Sequence, residues 1–326
     1  MADSPAVICL GEALVDRLGP PGGDPAVDRP VTDCLGGAPA NVACGLARLG
    51  TPVALIGRLG GDAIGGAFTR LLDQRGVDQR AVQHDPDRPT RVVLVRRSQA
   101  GERQFQGFAG DRGQGFADQA LALSDLQRVW PSLVERAGWL LIGTIPLATP
   151  AAKTSLGWVV ADARRRGVAI ALDVNWRPTF WDASADPAEG PSPAACTAIR
   201  TLLEQAALIK LAREEALWLF DVDDPLAIQA ALPQRPDVVV TDGAAPLRWS
   251  IAGEQGSLAV TPPPQLVDTT GAGDAFTAGL LHAWGQPVGE RIQFAAACGA
   301  LVCAGAGAID PQPTHNDVAA FLGAIS

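Results

Sequence analysis

The sequence predicts an α/β fold in which a mainly parallel sheet is covered by helices on both faces, and three observations predict it. Short apolar runs, "AVICLG", "GWLLIG", "VAIALDV", "AALIKL" and "PDVVVTDG", recur with helical stretches between them. Strands separated by helices imply parallel βαβ units and a sheet covered on both faces. The chain has 326 residues, 47% hydrophobic and 19% charged, enough for one large α/β domain with a sizeable core. One region breaks the pattern: "RVVLVRRS" and "ERQFQGFAG" flank "QAG" as a β-hairpin whose partial alternation places one face outside the main core.

Taken in order, "AVICLG" opens the fold as a buried strand. "PANVACGLARLG" reads as a helix, with Pro39 near its start and Gly50 after its last turn. "TPVALIGRLGGD" is a strand and turn, and "AIGGAFTRLLDQRG" is the next helix. The hairpin follows, and segments 12–35 and 90–110 together build a small β element. From residue 138 the alternation returns, with helices near 150–166, 195–206 and 213–220 and a Pro-rich surface loop at 183–195. The last third reads as nearly all helix, through "DAFTAGLLHAWG", "RIQFAAACGALVCAGAG" and "HNDVAAFLGAI".

Composition excludes several classes of function. A net charge of −9 argues against nucleic acid, whose phosphates demand an excess of lysine and arginine. No apolar run reaches the length of a membrane span, and "MADSPAVICL" lacks the basic start of a secretory signal, so the expected location is the cytoplasm. The six cysteines form no CxxC pair or metal-like cluster and read as buried reduced thiols. His84, His282 and His315 each stand alone and receive no chemistry.

The stretch "DTTGAGDAF" at 268–276 holds more small residues than a turn needs. Gly271, Ala272 and Gly273 lead into an apolar helix. Open amides at a helix start, with glycines that tolerate positive φ, make an anion pocket. Asp274, just inside the helix, is either a simple cap or a base beside that pocket. Other nucleotide devices are absent. A Walker A loop needs Gly-Lys-Ser/Thr, and neither of the two lysines, Lys153 and Lys210, follows a glycine. The protein-kinase motifs are missing. The first strand turns into "LGEALVD", not a dinucleotide fingerprint, which excludes an NAD-dependent enzyme of the doubly wound class.

A second glycine cluster, "GGAPANVACGLARLGTPVALIGRLG", lies far upstream. Together the two clusters resemble both signatures of the ribokinase-like (PfkB) family of sugar and nucleoside kinases. "GEALVD", "DVNWRP" at 173–178, "IKLAREEA" at 209–216 and "GAIDPQPT" at 307–314 fall in family order, and the details look most like its fructokinase branch. The resemblance implies a ribokinase-like three-layer sandwich with a mainly parallel central sheet and a small β-sheet lid, all one unit over residues 1–326. It implies transfer of a phosphoryl group from ATP, with Mg2+, to D-fructose, giving fructose 6-phosphate.

Residue by residue, the resemblance makes Asp274 the catalytic base and gives the anion-hole amides to Gly271, Ala272 and Gly273. It makes Asp16, Gly36, Gly37 and Asn41 sugar contacts, with Arg103 and Arg112 candidates from the lid. Arg177 would touch the transferring phosphate, with Asp173 and Asn175 orienting it or the metal. Lys210, Thr241 and Gly243, with Gly271 and Gly273, would lie on the ATP side. Glu215 would hold Mg2+ through water, and Asp268 and Thr270, with backbone near 305–307, would form a K+ site. Two positions depart from the family pattern: Ala212 replaces an Asn, and Pro246 replaces a Gly. Structural readings stand beside these. Asp16 can be a strand-end surface residue, Asn41 a helix cap and Arg177 half of an ion pair. The alternatives in function are a 2-keto-3-deoxygluconate kinase or ribokinase, the acid sugar kept open by Arg91, Arg96, Arg97 and Arg103, and a catalytically silent sugar or nucleotide sensor. The resemblance also implies a homodimer through the lid.

Overall fold

The computed structural model describes residues 5–97, 103–110, 115–263 and 265–325. The central sheet is nine strands wide. Its parallel part runs, in spatial order, β5 (Asp78–Asp85), β4 (Val53–Gly60), β1 (Val7–Leu10), β8 (Trp139–Ile142), β9 (Ala169–Asp173), β10 (Leu208–Ala212) and β11 (Asp237–Asp242). Strands β12 (Ala245–Ile251) and β13 (Glu254–Leu258) extend it antiparallel at the far edge.

Strand periodicity of two sorts the core into two layers. Along β1, Val7 and Cys9 join one apolar cluster, and Ile8 and Leu10 join the other. The first cluster lies under α1 (Ala38–Leu49), α2 (Ala63–Arg75), α9 (Ala272–His282), α10 (Val288–Val302) and α11 (His315–Ile325), represented by Leu46, Phe68, Leu280, Ile292 and Val318. The second lies under α3 (Leu123–Leu133), α4 (Pro150–Arg165), α6 (Pro193–Leu203), α7 (Arg213–Phe220) and α8 (Pro225–Ala230), represented by Trp130, Val159, Ile199, Leu219 and Ile228. A short helix, α5 (Pro178–Trp181), sits just beyond the carboxyl end of β9.

A separate four-stranded sheet has the order β3 (Thr32–Gly36), β2 (Leu14–Pro21), β6 (Val92–Arg97), β7 (Arg103–Phe108). Beneath it lies a small third cluster of Leu14, Val93, Phe108 and Phe116, with Phe180 of α5 packed against it. The Arg91 guanidinium, 2% exposed, lies 4.7–5.2 Å from the centroids of the Phe108, Phe116 and Phe180 rings and pairs with Asp118 at 2.8 Å. A buried charge is tolerated there because both the carboxylate and the ring faces compensate it.

Three strands go unsignalled by the apolar runs. β5, "DQRAVQHD", is an edge strand whose inward positions include Gln83 and Asp85. Gln83 exchanges two 2.8 Å bonds with the Ala122 backbone, and Asp85 accepts from Arg58 and Arg88, so polar residues occupy buried positions at little cost. β12 and β13 close the other edge, and the last third of the chain is helical only from Ala272 onward.

The turn after β4 is tied to the entry of β6 through Asp62. Its Oδ1 accepts from the Gly65 amide at 2.8 Å, capping α2, and from Thr90 Oγ1 at 3.0 Å, while Oδ2 accepts from the Thr90 amide at 2.7 Å. Replacing Asp62 with Ala removes the cap and strands the Thr90 amide. We expect a loss of about 1–3 kcal/mol in chemical denaturation, whereas Asp62→Asn keeps the cap and recovers part of it.

Candidate active site

The carboxyl ends of β1, β9 and β10 and the N-termini of α1 and α9 converge below the small sheet, where open α/β sheets generally bind ligands. At the start of α9, Gly271 has φ 79°, and a Cβ there would fall 2.5 Å from Ala308 Cβ and 2.8 Å from Ala308 Cα. Only glycine fits both the angle and the space. The preceding turn is fastened by Asp268, whose Oδ1 accepts from the Thr270 amide and hydroxyl at 3.0 and 2.6 Å and whose Oδ2 accepts from the Gly307 amide at 2.8 Å. The turn is thereby held against the 305–309 loop. The Ala272 amide donates to Thr269 O at 3.2 Å, so among the described residues the amides without an acceptor at this helix start are those of Gly271, Gly273 and Asp274. They carry the positive end of the helix dipole.

Asp274 Oδ2 accepts from Asn41 Nδ2 at 2.7 Å. Asn41 reaches it from the first turn of α1. That helix begins at Gly37, with φ 102°, where a Cβ would meet Glu12 O at 2.7 Å. The Glu12 carboxyl accepts from the Ala38 amide at 3.1 Å, and Gln312 Nε2 donates to Asn41 O at 2.7 Å, so the turn is braced on two sides. Asn41 Oδ1 is buried and has no hydrogen-bond partner among the described residues. A Cβ on Gly36 would sit 3.7 Å from that oxygen and 4.0 Å from Asp16 Oδ2. The missing side chain leaves a space walled by a carboxamide oxygen and a carboxylate, a pairing suited to the hydroxyls of a polyol. Asp16, Gly36, Gly37, Asn41 and Asp274 are thus brought together.

Burial raises the Asp274 carboxyl most, and Asp173 adds to it. The Asn41 hydrogen bond and the charges of Lys210 and Arg177 hold it back, leaving it pushed up from 3.8 to about 6. Glu12, which no motif singled out as a site residue although it stands in "GEALVD", is raised from 4.5 to about 8, first by burial and then by Asp118 and Asp274. At neutral pH Asp274 is mostly ionised and Glu12 mostly protonated.

Behind α9 lies Asp173 at the end of β9, paired with Lys210 Nζ of β10 at 3.1 and 3.2 Å. Glu215, 6% exposed, uses Oε1 for the Trp176 amide at 2.6 Å and Oε2 for the Ala212 amide at 2.7 Å. It therefore pins the 174–177 loop, where Asn175 has φ 41°, to the β10–α7 turn. Arg177 is exposed, and its Nη1 donates to Trp176 O at 2.8 Å. Thr241 lies beside Ala212 in the strand register and bonds Leu211 O at 3.3 Å. Gly243, with φ 55°, makes the β11–β12 turn, and Pro246 lies in β12. The Arg103 side chain and Arg112 fall outside the described residues. No group of three or more His, Cys, Asp or Glu among the described residues is arranged to hold a metal ion.

One expectation is overturned. His282 and His315 do not stand alone: His282 Nε2 lies 3.0 Å from His315 Nδ1, its Nδ1 lies 2.7 Å from Thr51 Oγ1, and its ring stacks on Phe294. Residues 231 and 33 apart along the chain meet only after folding. No cysteine forms a disulfide; Cys9, Cys44, Cys298 and Cys303 are buried as expected, but Cys34 and Cys196 are only half-buried, and among the described residues no helix is long and apolar enough to cross a membrane.

Comparison with known proteins adds to this geometry. The sequence profile described as pfkB family carbohydrate kinase matches residues 4–315. The fructokinase of Vibrio alginolyticus is 31% identical over 328 residues, covering 96% of this chain and 97% of that protein. The probable fructokinase-6, chloroplastic, of Arabidopsis thaliana is 32% identical, covering 97% of this chain and 82% of that protein. Among solved structures, the fructokinase of Vibrio cholerae O395 in its fructose-, ADP- and calcium-bound form superposes with a TM-score of 0.80 at 28% identity, covering 97% of this chain and 98% of that one. The ribokinase-like sandwich expected from the motifs is the fold observed.

Titrating the Asp274 carboxyl by carbon-13 NMR should give a midpoint near pH 6. Asn41→Ala removes a bond that favours the ionised form, so the midpoint should rise. A midpoint near 4 in the native protein would contradict the description of this carboxylate.

Proposed function

The chain belongs to the pfkB family of carbohydrate kinases, and on that premise we propose that it transfers the γ-phosphoryl group of ATP to D-fructose, giving fructose 6-phosphate, with Asp274 as the general base. At the coarser level it is a fructokinase-like sugar kinase, a phosphotransferase with an alcohol acceptor. The observation that carries the finer reading is the Asn41–Asp274 contact beside three open amides. With Oδ2 occupied by Asn41, Oδ1 of Asp274 is left to accept the proton of a hydroxyl.

The sugar is proposed to lie in the space beside Gly36, with Asp16 and Asn41 reading its hydroxyls and the small sheet as its cover. A cover of this kind keeps water from competing for the phosphoryl group. Of the four arginines that favour an acid sugar, Arg91 is committed to Asp118 and Arg97 to Gly19 O, and Arg96 lies 3.9 Å from Asp24. With Arg91 and Arg97 held by the protein itself, the acid-sugar reading has fewer cations to draw on, and the Arg103 side chain lies outside the described residues.

The amides of Gly271, Gly273 and Asp274 then neutralise charge on the transferring group, with Arg177 as a further contact. ATP, when bound, supplies the phosphoryl group; Thr241 and Gly243 border its proposed place. The residues fit a Mg2+ ion held chiefly by phosphate oxygens and water. Asp173 is already taken by Lys210, and each Glu215 oxygen by an amide, leaving Glu215 to reach the ion through water. The carbonyls of the 268–270 and 305–307 turns, held together by Asp268, are the proposed donors for K+. The edge strands β3 and β7 of the small sheet are the proposed face for a second copy.

Asp274→Asn should cut kcat by about a thousandfold or more while the KM for fructose stays near its native value. Unchanged turnover in that variant removes Asp274 from its role. In a coupled ADP-release assay across sugars, fructose should give the highest kcat/KM; phosphorylation of another sugar with none of fructose would overturn the substrate assignment. Native kcat/KM should fall as pH drops through about 6, where the base is protonated.

A further inference from the structure

The resemblance placed Lys210 on the nucleotide side, but its surroundings give it different work. Its side chain is 11% exposed, and its Nζ lies 3.1 and 3.2 Å from the two oxygens of Asp173, itself 6% exposed. Asp173 Oδ2 is also 3.0 Å from Thr277 Oγ1, and the same hydroxyl lies 3.0 Å from Gly273 O. Thr277 stands one turn beyond Gly273 on α9 and is 2% exposed. A Cβ on Gly273 would come 3.0 Å from Lys210 Nζ. The ammonium thus lies directly against the first turn of the helix that carries Asp274, held in place by a hydrogen-bonded chain through Asp173 and Thr277.

We propose that the Lys210–Asp173 pair, tied to α9 through Thr277, is the device that fixes the anion-binding first turn and sets a permanent positive charge against it, Lys210 being a positioning residue and not a ligand of the nucleotide. The proposal rests on the phosphotransferase reading above. A buried pair of this kind is a poor contributor to net stability, since desolvation offsets most of its attraction. Its value lies in geometry and local field. Glycine at 273 keeps the helix start close enough to feel the ammonium, which a side chain there would push away.

The charged groups that face Asp274 are Lys210 from β10, Asp173 from β9, Arg177 beyond it and Glu12 beyond β1. Burial by itself would lower Lys210, but the carboxylates of Asp173, Glu215 and Asp274 together raise it, so it stays cationic across the working range. The two members of the pair act on Asp274 in opposite directions: Lys210 lowers its carboxyl and Asp173 raises it.

Five variants test this: Lys210→Met, Lys210→Arg, Asp173→Asn, the double replacement of Lys210→Met with Asp173→Asn, and Thr277→Val. Two readouts are needed, the Asp274 midpoint by carboxyl NMR and steady-state kinetics with fructose and ATP. Lys210→Met should move the midpoint up, Asp173→Asn should move it down, and the double variant, which leaves no unpaired buried charge, should return it toward the native value. Thr277→Val should leave the midpoint in place and lower kcat about tenfold through a loosened helix start, with both KM values little changed. Lys210→Arg keeps the charge and should recover most of the activity that Lys210→Met loses. A midpoint that stays put in both Lys210→Met and Asp173→Asn overturns the proposal. So does a Lys210→Met enzyme whose loss falls wholly on the KM for ATP, which would make Lys210 a nucleotide ligand. Absence of sugar phosphorylation by the native protein would sink the functional reading, while the NMR titration would still test the pair.

Discussion

One hydrogen bond, from Asn41 Nδ2 to Asp274 Oδ2, joins the first turn of α1 to the first turn of α9 across 233 residues of chain. Everything proposed for this site depends on it. It aims the carboxylate, leaves one carboxylate oxygen available, and places both beside the space that Gly36 vacates. Two helix starts must approach within a single contact, which is why each is built from glycines with positive φ, Gly37 and Gly271. Each also packs against another backbone, Glu12 O in one case and Ala308 in the other, so neither turn can drift without a clash. The loop after α10 serves both sides, since Ala308 seats Gly271 and Gln312 grips the Asn41 carbonyl.

The sheet supplies the foundation. Leu10, Leu172 and Ile209 stand at one level across β1, β9 and β10, and Asp173 pairs with Lys210 one residue on, so Glu12, Asp173 and Lys210 lie close together beneath the helix starts. The inner parallel strands, buried on both faces, leave little freedom at those ends, and polar groups there are nearly all paired. The exceptions are informative. Asn41 Oδ1 and the helix-start amides are polar groups in a largely enclosed place with no protein partner among the described residues. A ligand rich in hydroxyls and phosphate oxygens offers the complement.

Much of this was legible in the sequence. Buried strands announced themselves through apolar runs, and α1, α2 and α7 fell where caps and periodicity put them. The helices expected near 150–166 and 195–206 form as Pro150–Arg165 and Pro193–Leu203. The two glycine clusters located the site because positive φ and close approach are demands that only glycine meets. What stayed hidden follows from the same physics. β5 hides because Gln83 and Asp85 face inward, so burial there does not track hydrophobicity. Glu12 is silent because its raised carboxyl comes from burial and from Asp118 and Asp274, all distant in the chain. The His282–His315 contact and the Lys210–Asp173–Thr277 chain are products of tertiary packing, with no spacing rule to betray them.

A crystal structure with fructose and a non-hydrolysable ATP analogue tests the central claim most directly. The account predicts a primary hydroxyl of the sugar within hydrogen-bond distance of Asp274 Oδ1, Asn41 still on Oδ2, and the terminal phosphate against the Gly273 and Asp274 amides. A sugar hydroxyl turned away from Asp274, or a phosphate seated elsewhere than the start of α9, would contradict it.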